Sequence, residues 1–214
     1  SEQWFTYIEQ QKPLFSQAST TFLRSRFYAS QGDRYKALDR LKTVNYIGDN
    51  ERYNKIIAGE VAYNEGQYAK AISAFELFRL SDEMKPDHFY RMQEGRTALH
   101  LAFAYLQIEE LTKANTVIDG LISSLNRGGL KKSNNPIYYY DMAMISAMRD
   151  KKDEAFYYLQ GAIDAGWVRA WQAEFEPIYA NIRNDARFTQ MMGGVRARLE
   201  VMRKRIKNED VFLL

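Results

Sequence analysis

Residues 59–76 read Gly59-Glu60-Val61-Ala62-Tyr63-Asn64-Glu65-Gly66-Gln67-Tyr68-Ala69-Lys70-Ala71-Ile72-Ser73-Ala74-Phe75-Glu76. The apolar residues recur at spacings of three and four, the period of one helix face and not the alternation of a strand. Gly66 interrupts that pattern. Glycine enters the left-handed backbone that ends many helices without the Cβ clash other residues meet, so the stretch predicts two helices joined by a tight turn. The rest of the chain agrees. Four prolines in 214 residues, with few alternating β-branched runs, leave long stretches free to be helical, and the predicted class is all-α.

The grammar repeats. Upstream, Tyr28, Gly32, Tyr35, Ala37 and Leu41 follow the same order, and Ala37 lies 34 residues before Ala71. Downstream, Ala102, Tyr105, Leu111, Ala114 and Ile118 form a third copy, and Ala143, Ala155, Leu159 and Ala162 a fourth, at offsets of 43 and 41 residues. Those offsets predict longer connections near 84–88 and 127–135, where Pro86, Gly128, Gly129 and Pro136 occur. The pattern resembles the tetratricopeptide repeat, whose period is about 34 residues. In that family a small residue lets two antiparallel helices approach, an aromatic packs across them and a second small residue opens the second helix. Gly59, Ala62, Tyr68, Ala71 and Phe75 fall at those positions. The resemblance implies a right-handed superhelical stack of antiparallel helix pairs, at about 16–48, 51–80, 91–125 and 136–165. Residues 1–15, with Trp4, Phe5 and Ile8, are then a capping helix, 16–165 the four pairs, and 166–214 C-terminal capping helices and a tail. Uncapped ends of such a stack would expose apolar surface.

The last third carries a second likeness. Glu176-Pro177-Ile178-Tyr179-Ala180-Asn181-Ile182-Arg183-Asn184-Asp185-Ala186-Arg187-Phe188 is similar to the terminal repeat of bacterial winged-helix transcription regulators, class III adenylate cyclases and some protein kinases. Ile182, Arg183, Asp185, Arg187 and Phe188 match, while Glu176 and Ala186 replace an Asp and a Pro. The likeness implies the C-terminal sensory or interaction domain of a larger bacterial signalling protein. No winged-helix, cyclase or kinase motif lies in the chain itself. The residues alone favour a structural role: Asp185 caps the following helix, Arg187 and Phe188 enter its first turn, and Pro177 breaks the preceding one. Trp167 and Trp171, four apart, read as core anchors on one face.

Composition narrows the chemistry. With no cysteine, disulfides, thiolate nucleophiles and cysteine-ligated metal sites are excluded. A charge of +3 from 30 basic and 27 acidic residues gives too weak a mean field to announce a nucleic-acid partner. No apolar run reaches the roughly 18 residues needed to span a bilayer, and Ser1-Glu2-Gln3-Trp4-Phe5 lacks the basic-then-apolar pattern of a secretion signal. The cytoplasm is the expected compartment, or the periplasm for a membrane-anchored parent. His88 and His100 have no second histidine at metal-ligand spacing. His88, beside Asp87, reads as a solvated loop residue, and His100 as a packing or groove residue within a helix. Gly128-Gly129 and Gly193-Gly194 are isolated pairs, not phosphate loops. Glu109-Glu110 and Glu209-Asp210 are neighbours that point apart on a helix. No catalytic residue, metal site or cofactor is expected.

Binding is the expected activity. The resemblance implies that first helices line a concave groove, with Phe22 and Arg26 from the first copy and Tyr53, Ile56, Glu60 and Tyr63 from the second. Arg96, Leu99 and Phe103 come from the third and Tyr140 and Met144 from the fourth. This aromatic, lightly charged lining suits an extended peptide or an amphipathic helix, with Arg26 and Arg96 meeting acidic groups. The lysine and asparagine clamp of chaperone-binding relatives is largely absent, since Phe22, Arg26, Ile57, Arg96 and His100 stand there. The chain's own last helix or a second copy is the alternative occupant. That helix, near 185–207, carries Met191, Val195, Leu199, Met202 and Ile206 on one stripe, with Arg196, Arg198, Arg203, Lys204, Arg205 and Lys207 around it. Nucleic-acid or anionic-surface contact through it is the alternative function. No aromatic residue interleaves with the bases to stack nucleotides. Phe212, Leu213 and Leu214 add an apolar tail.

Overall fold

Five times along the described chain a helix ends in one and the same hydrogen-bonded turn. The third residue past the helix donates its amide to a carbonyl five positions back: Asp33 to Tyr28 at 3.0 Å, Gln67 to Ala62 at 2.8 Å, Glu110 to Tyr105 at 3.0 Å, Lys151 to Ser146 at 2.9 Å and Trp167 to Ala162 at 2.9 Å. The residue before each donor has left-handed backbone, with φ of 84° at Gly32, 75° at Gly66, 62° at Glu109, 54° at Asp150 and 101° at Gly166. Paired inner bonds complete a closure that satisfies carbonyls the helix leaves open, such as Gly66 N–H to Tyr63 O at 3.1 Å.

The computed structural model describes residues 17–44, 51–79, 94–127 and 134–208. Among them are ten α-helices and no strand. Four of the turns close helix pairs: α1 (Gln17–Ser30) with α2 (Arg34–Lys42), α3 (Glu51–Asn64) with α4 (Tyr68–Arg79), α5 (Glu94–Gln107) with α6 (Leu111–Arg127), and α7 (Pro136–Met148) with α8 (Lys152–Asp164). The fifth ends α8 ahead of α9 (Ala170–Phe175), a 3-10 turn (Pro177–Asn181) and α10 (Ala186–Asn208). The expected capping helix around Trp4, Phe5 and Ile8, the connection at 84–88 with His88, most of that at 127–135, and the tail Phe212, Leu213 and Leu214 lie outside the described residues.

After each closure the second helix opens in a fixed register. Ala37 N–H donates to Asp33 O, Ala71 to Gln67, Ala114 to Glu110 and Ala155 to Lys151, all at 2.9 to 3.1 Å. All four alanines are buried, three of them completely. Small residues at matching offsets on the first helices, Ser25, Gly59, Ala102 and Ala143, are buried as well, and Ser25 Oγ–H donates to Ala37 O at 2.8 Å. Gly59 is the tightest approach: an added Cβ would sit 2.5 Å from Phe75 Cε1 and 2.9 Å from Ala74 Cβ. Helix starts are capped locally. Asp33 accepts from Lys36 N–H at 3.0 Å, and Asn135, ahead of Pro136, accepts from Ile137 N–H at 2.9 Å.

Contacts divide the chain into two compact units, Ser1–Ser124 and Leu125–Leu214. In the first, α2 packs on α3, α4 on α5 and α3 on α5, beyond the contacts within pairs. Its core includes Ala71, Phe75, Leu99, Ala102, Tyr105, Ile118 and Leu121. A smaller cluster joins Val44 and Ile57 with Phe22 and Leu41. In the second unit α7 carries the 3-10 turn, and α10 packs on α8 and α9, around Met144, Ile145, Leu159, Tyr179, Ile182 and Phe188.

The close approach at Gly59 has a measurable sign. Gly120 lies in α6 with open space where a Cβ would go, so Gly120→Ala should raise stability by about 0.5–1 kcal/mol through helix propensity. Gly59→Ala should instead lower the urea midpoint, because the Phe75 ring is buried and has to move. Equal gains from both substitutions would mean that α3 and α4 are not in contact there.

Candidate functional site

In the first unit the first helices of successive pairs, α3 and α5, lie side by side. Glu60 and Tyr63, three apart, share one face of α3, as His100 and Phe103 share one face of α5. The His100 ring stacks on Tyr63 with centroids 4.1 Å apart and planes 12° from parallel. Phe75 of α4 lies 6.4 Å away, and Phe103 meets the edges of Tyr63 and Tyr68 at 5.9 Å each. His100 Nδ1 is 2.9 Å from Glu60 Oε1 across 40 residues of chain. The histidine is 3% exposed and the Glu60 side chain 21%, so the bond lies where buried ring meets water. Tyr105 O–H donates a close hydrogen bond to Glu76, a second polar tie, between α5 and α4.

The expected groove residues divide by burial. Phe22, Arg26, Ile56, Glu60 and Arg96 are half-buried and accessible. Phe22 packs on the Val44 and Ile57 cluster, and the Arg26 guanidinium carbon lies 5.9 Å from the Phe22 ring centre. Tyr63, Leu99 and Phe103 are buried and form a floor, where the sequence reading has them facing a partner. Neighbouring aromatic rings pack against Tyr63 and Phe103, and burying such large apolar side chains is strongly favourable. Tyr140 and Met144 belong to the core of the second unit, with Tyr140 stacked on Trp167 at 4.8 Å and edge-on to Tyr179 at 5.9 Å. The Tyr53 side chain lies outside the described ones. The structure thus brings Ile56, Glu60 and Arg96 to the accessible part of neighbouring helices and withdraws the rings beneath them.

The tail of the second unit is a capping and packing device. Glu176 is buried and accepts from Ile178 N–H at 3.4 Å, while an Arg183 Nη donates to the Glu176 carbonyl at 2.5 Å. Asn181 donates to Ala147 O at 2.9 Å, and Tyr179 O–H to Tyr140 O at 3.4 Å. Burial, with Tyr140, Glu176 and Asp141 nearby, pushes the Tyr179 hydroxyl well above its usual pKa. Asp185 caps α10 by accepting from Arg187 N–H at 2.9 Å. The Arg187 side chain returns to Asp185 at 2.8 Å and to Asp153 at 2.7 Å, with its guanidinium 4.0 Å from the Phe156 ring centre. Ile182 and Phe188 are buried beside them.

Two expectations for this region are corrected. Trp167 precedes α9 and Trp171 lies within it, so the two do not share one helical face. In α10 the buried line runs through Phe188, Met192 and Val195, with Met191 only half-buried. Of the expected stripe Val195 is buried, Leu199 half-buried and Met202 exposed, so the helix packs on α8 and α9 only over its first turns.

No group of three or more His, Asp or Glu that could hold a metal occurs among the described residues. Compared with known proteins, the chain matches no protein-family model, no curated protein and no solved structure.

Hydrogen bonds from the Arg187 side chain and backbone hold the Asp185 carboxyl at about 2, below its usual 3.8. The sign follows from linkage: a lowered folded-state pKa contributes stability above the unfolded value, lost as pH falls toward the folded one. Asp185→Ala should therefore destabilise the protein near neutrality, with the difference from the parent shrinking between about pH 4 and pH 2. A carboxyl titration by NMR should place Asp185 near 2, and a midpoint at the ordinary value would remove the cap.

Proposed function

We propose that the chain is a non-catalytic interaction module of the tetratricopeptide type, its helix pairs continuing as a right-handed superhelix, and that it binds a peptide or protein partner. One observation carries the reading: α3 and α5 stand side by side with half-exposed Ile56, Glu60 and Arg96 above the buried floor of Tyr63, Leu99, His100 and Phe103. A floor already packed loses little side-chain freedom on binding, which favours capture of an extended chain or an amphipathic helix. Arg96 and, from α1, Arg26 supply positive charge for an acidic partner, and Phe22 and Ile56 supply apolar contact. Tyr53 joins them by its position on α3. The likeness of the tail to those of bacterial regulators makes the module the regulatory part of a larger signalling protein, and the repeated closure of its pairs supports the repeat assignment.

The test is selection of peptides from a display library on the whole chain, followed by titration against a folded double variant, Ile56→Asp with Arg96→Glu. Both positions are half-exposed, so the fold should persist, which circular dichroism checks. Affinity should fall by about ten-fold or more, since an apolar anchor and a charge are both reversed. Undiminished binding by the double variant would move the partner away from α3 and α5.

A further inference from the structure

In the distal turns of α10 burial gives way to exposure. Up to Val195 the helix is anchored: Phe188, Met192 and Val195 are buried, Arg196 pairs with Glu174, and an Arg198 Nη donates to the Ile163 carbonyl at 3.3 Å. At Leu199 burial is already partial, and Val201, Met202, Arg203, Lys204 and Arg205 are then all exposed. Five consecutive helical residues span more than a full turn, so exposure of all five means that solvent reaches the helix from every side. Val201 is 51% exposed and Met202 45%. From 199 to 205 the sequence carries three bases and one acid, Glu200.

We propose that this stretch of α10, from Leu199 to Arg205, docks on an anionic lipid surface. Around the helix, Arg205 falls between Val201 and Met202, and Arg203 and Lys204 occupy the remaining arc. Leu199, Met202 and Val201 thus share one side of the helix with Arg205 among them, and Arg203 and Lys204 stand on the other, so apolar and basic groups meet along its length as in a helix that lies in a bilayer interface. A bilayer interface offers anionic headgroups and hydrocarbon at adjacent depths, so bases held at the headgroups let valine and methionine reach below them. Nucleic acid would use the charges and leave Val201 and Met202 in water, and no aromatic side chain stands among these five residues to stack on bases. A second copy would set one basic tip against another. The proposal is independent of the peptide surface on α3 and α5, whose variants leave α10 untouched.

Co-sedimentation of the whole chain with vesicles tests it, comparing pure phosphatidylcholine with phosphatidylcholine containing phosphatidylserine. Binding should favour the serine-containing vesicles by about ten-fold or more and weaken as salt rises. The triple reversal Arg203→Glu, Lys204→Glu, Arg205→Glu and the single change Met202→Asp should each reduce it by at least about ten-fold with an unchanged circular dichroism spectrum, the first through charge and the second through insertion. Equal association with both vesicle types, or full binding by either variant, would overturn the proposal. So would binding to a duplex or single-stranded oligonucleotide that Met202→Asp leaves intact while neither vesicle is bound, which would assign the bases to nucleic acid.

Discussion

A left-handed residue at the foot of each first helix governs how the described pairs are built. Once the chain turns at Gly32, Gly66, Glu109 or Asp150, the next residue is held against a carbonyl five positions back, and the start of the second helix is fixed. The alanine four residues into that start then meets the first helix at a set height. Only a small partner fits there, and Ser25, Gly59, Ala102 and Ala143 supply it. Backbone geometry comes first and side-chain size answers it. Two of the four turns use glycine, at little steric cost, whereas Glu109 and Asp150 hold the same conformation against a penalty of about 1–2 kcal/mol. Asp150 has partial compensation, because Asn181 donates to its side chain at 3.1 Å. Glu109 is exposed, and the closure itself keeps it in place.

From that spacing follows the juxtaposition of α3 and α5. The His100 to Glu60 bond and the Tyr63 stack cross between two pairs, joining surfaces that 40 residues of chain separate. The rings there are buried and the charged groups half-buried, so the region has an apolar base and a polar rim. The distal part of α10 is its physical opposite. There basic and apolar side chains share a stretch of helix exposed to solvent.

The sequence made the pairs legible because small residues and turns recur at fixed offsets. Ala37, Ala71, Ala114 and Ala155 mark the register in the sequence and open the second helices in the structure. Gly32 and Gly66 announced their left-handed turns, while glutamate and aspartate at 109 and 150 carried no such signal. Burial at the site was harder to read. Whether Tyr63 or Phe103 faces a groove or a core depends on neighbours from another pair, and a single helix face does not hold that information. The same reason hid the partnership of His100 with Glu60 and the shift of the buried line in α10 from Met191 to Met192. At Asp185 the local signal sufficed, since capping involves residues two apart.

Glu109→Gly measures the governing constraint most directly, by urea denaturation against the parent chain. At an ordinary helical position the change to glycine would cost about 1 kcal/mol. At a left-handed position it removes a Cβ from a backbone that resists one, so stability should rise by about 0.5–1 kcal/mol or more. A loss of about 1 kcal/mol would contradict the left-handed closure at Glu109, and with it the claim that one turn geometry builds all four pairs.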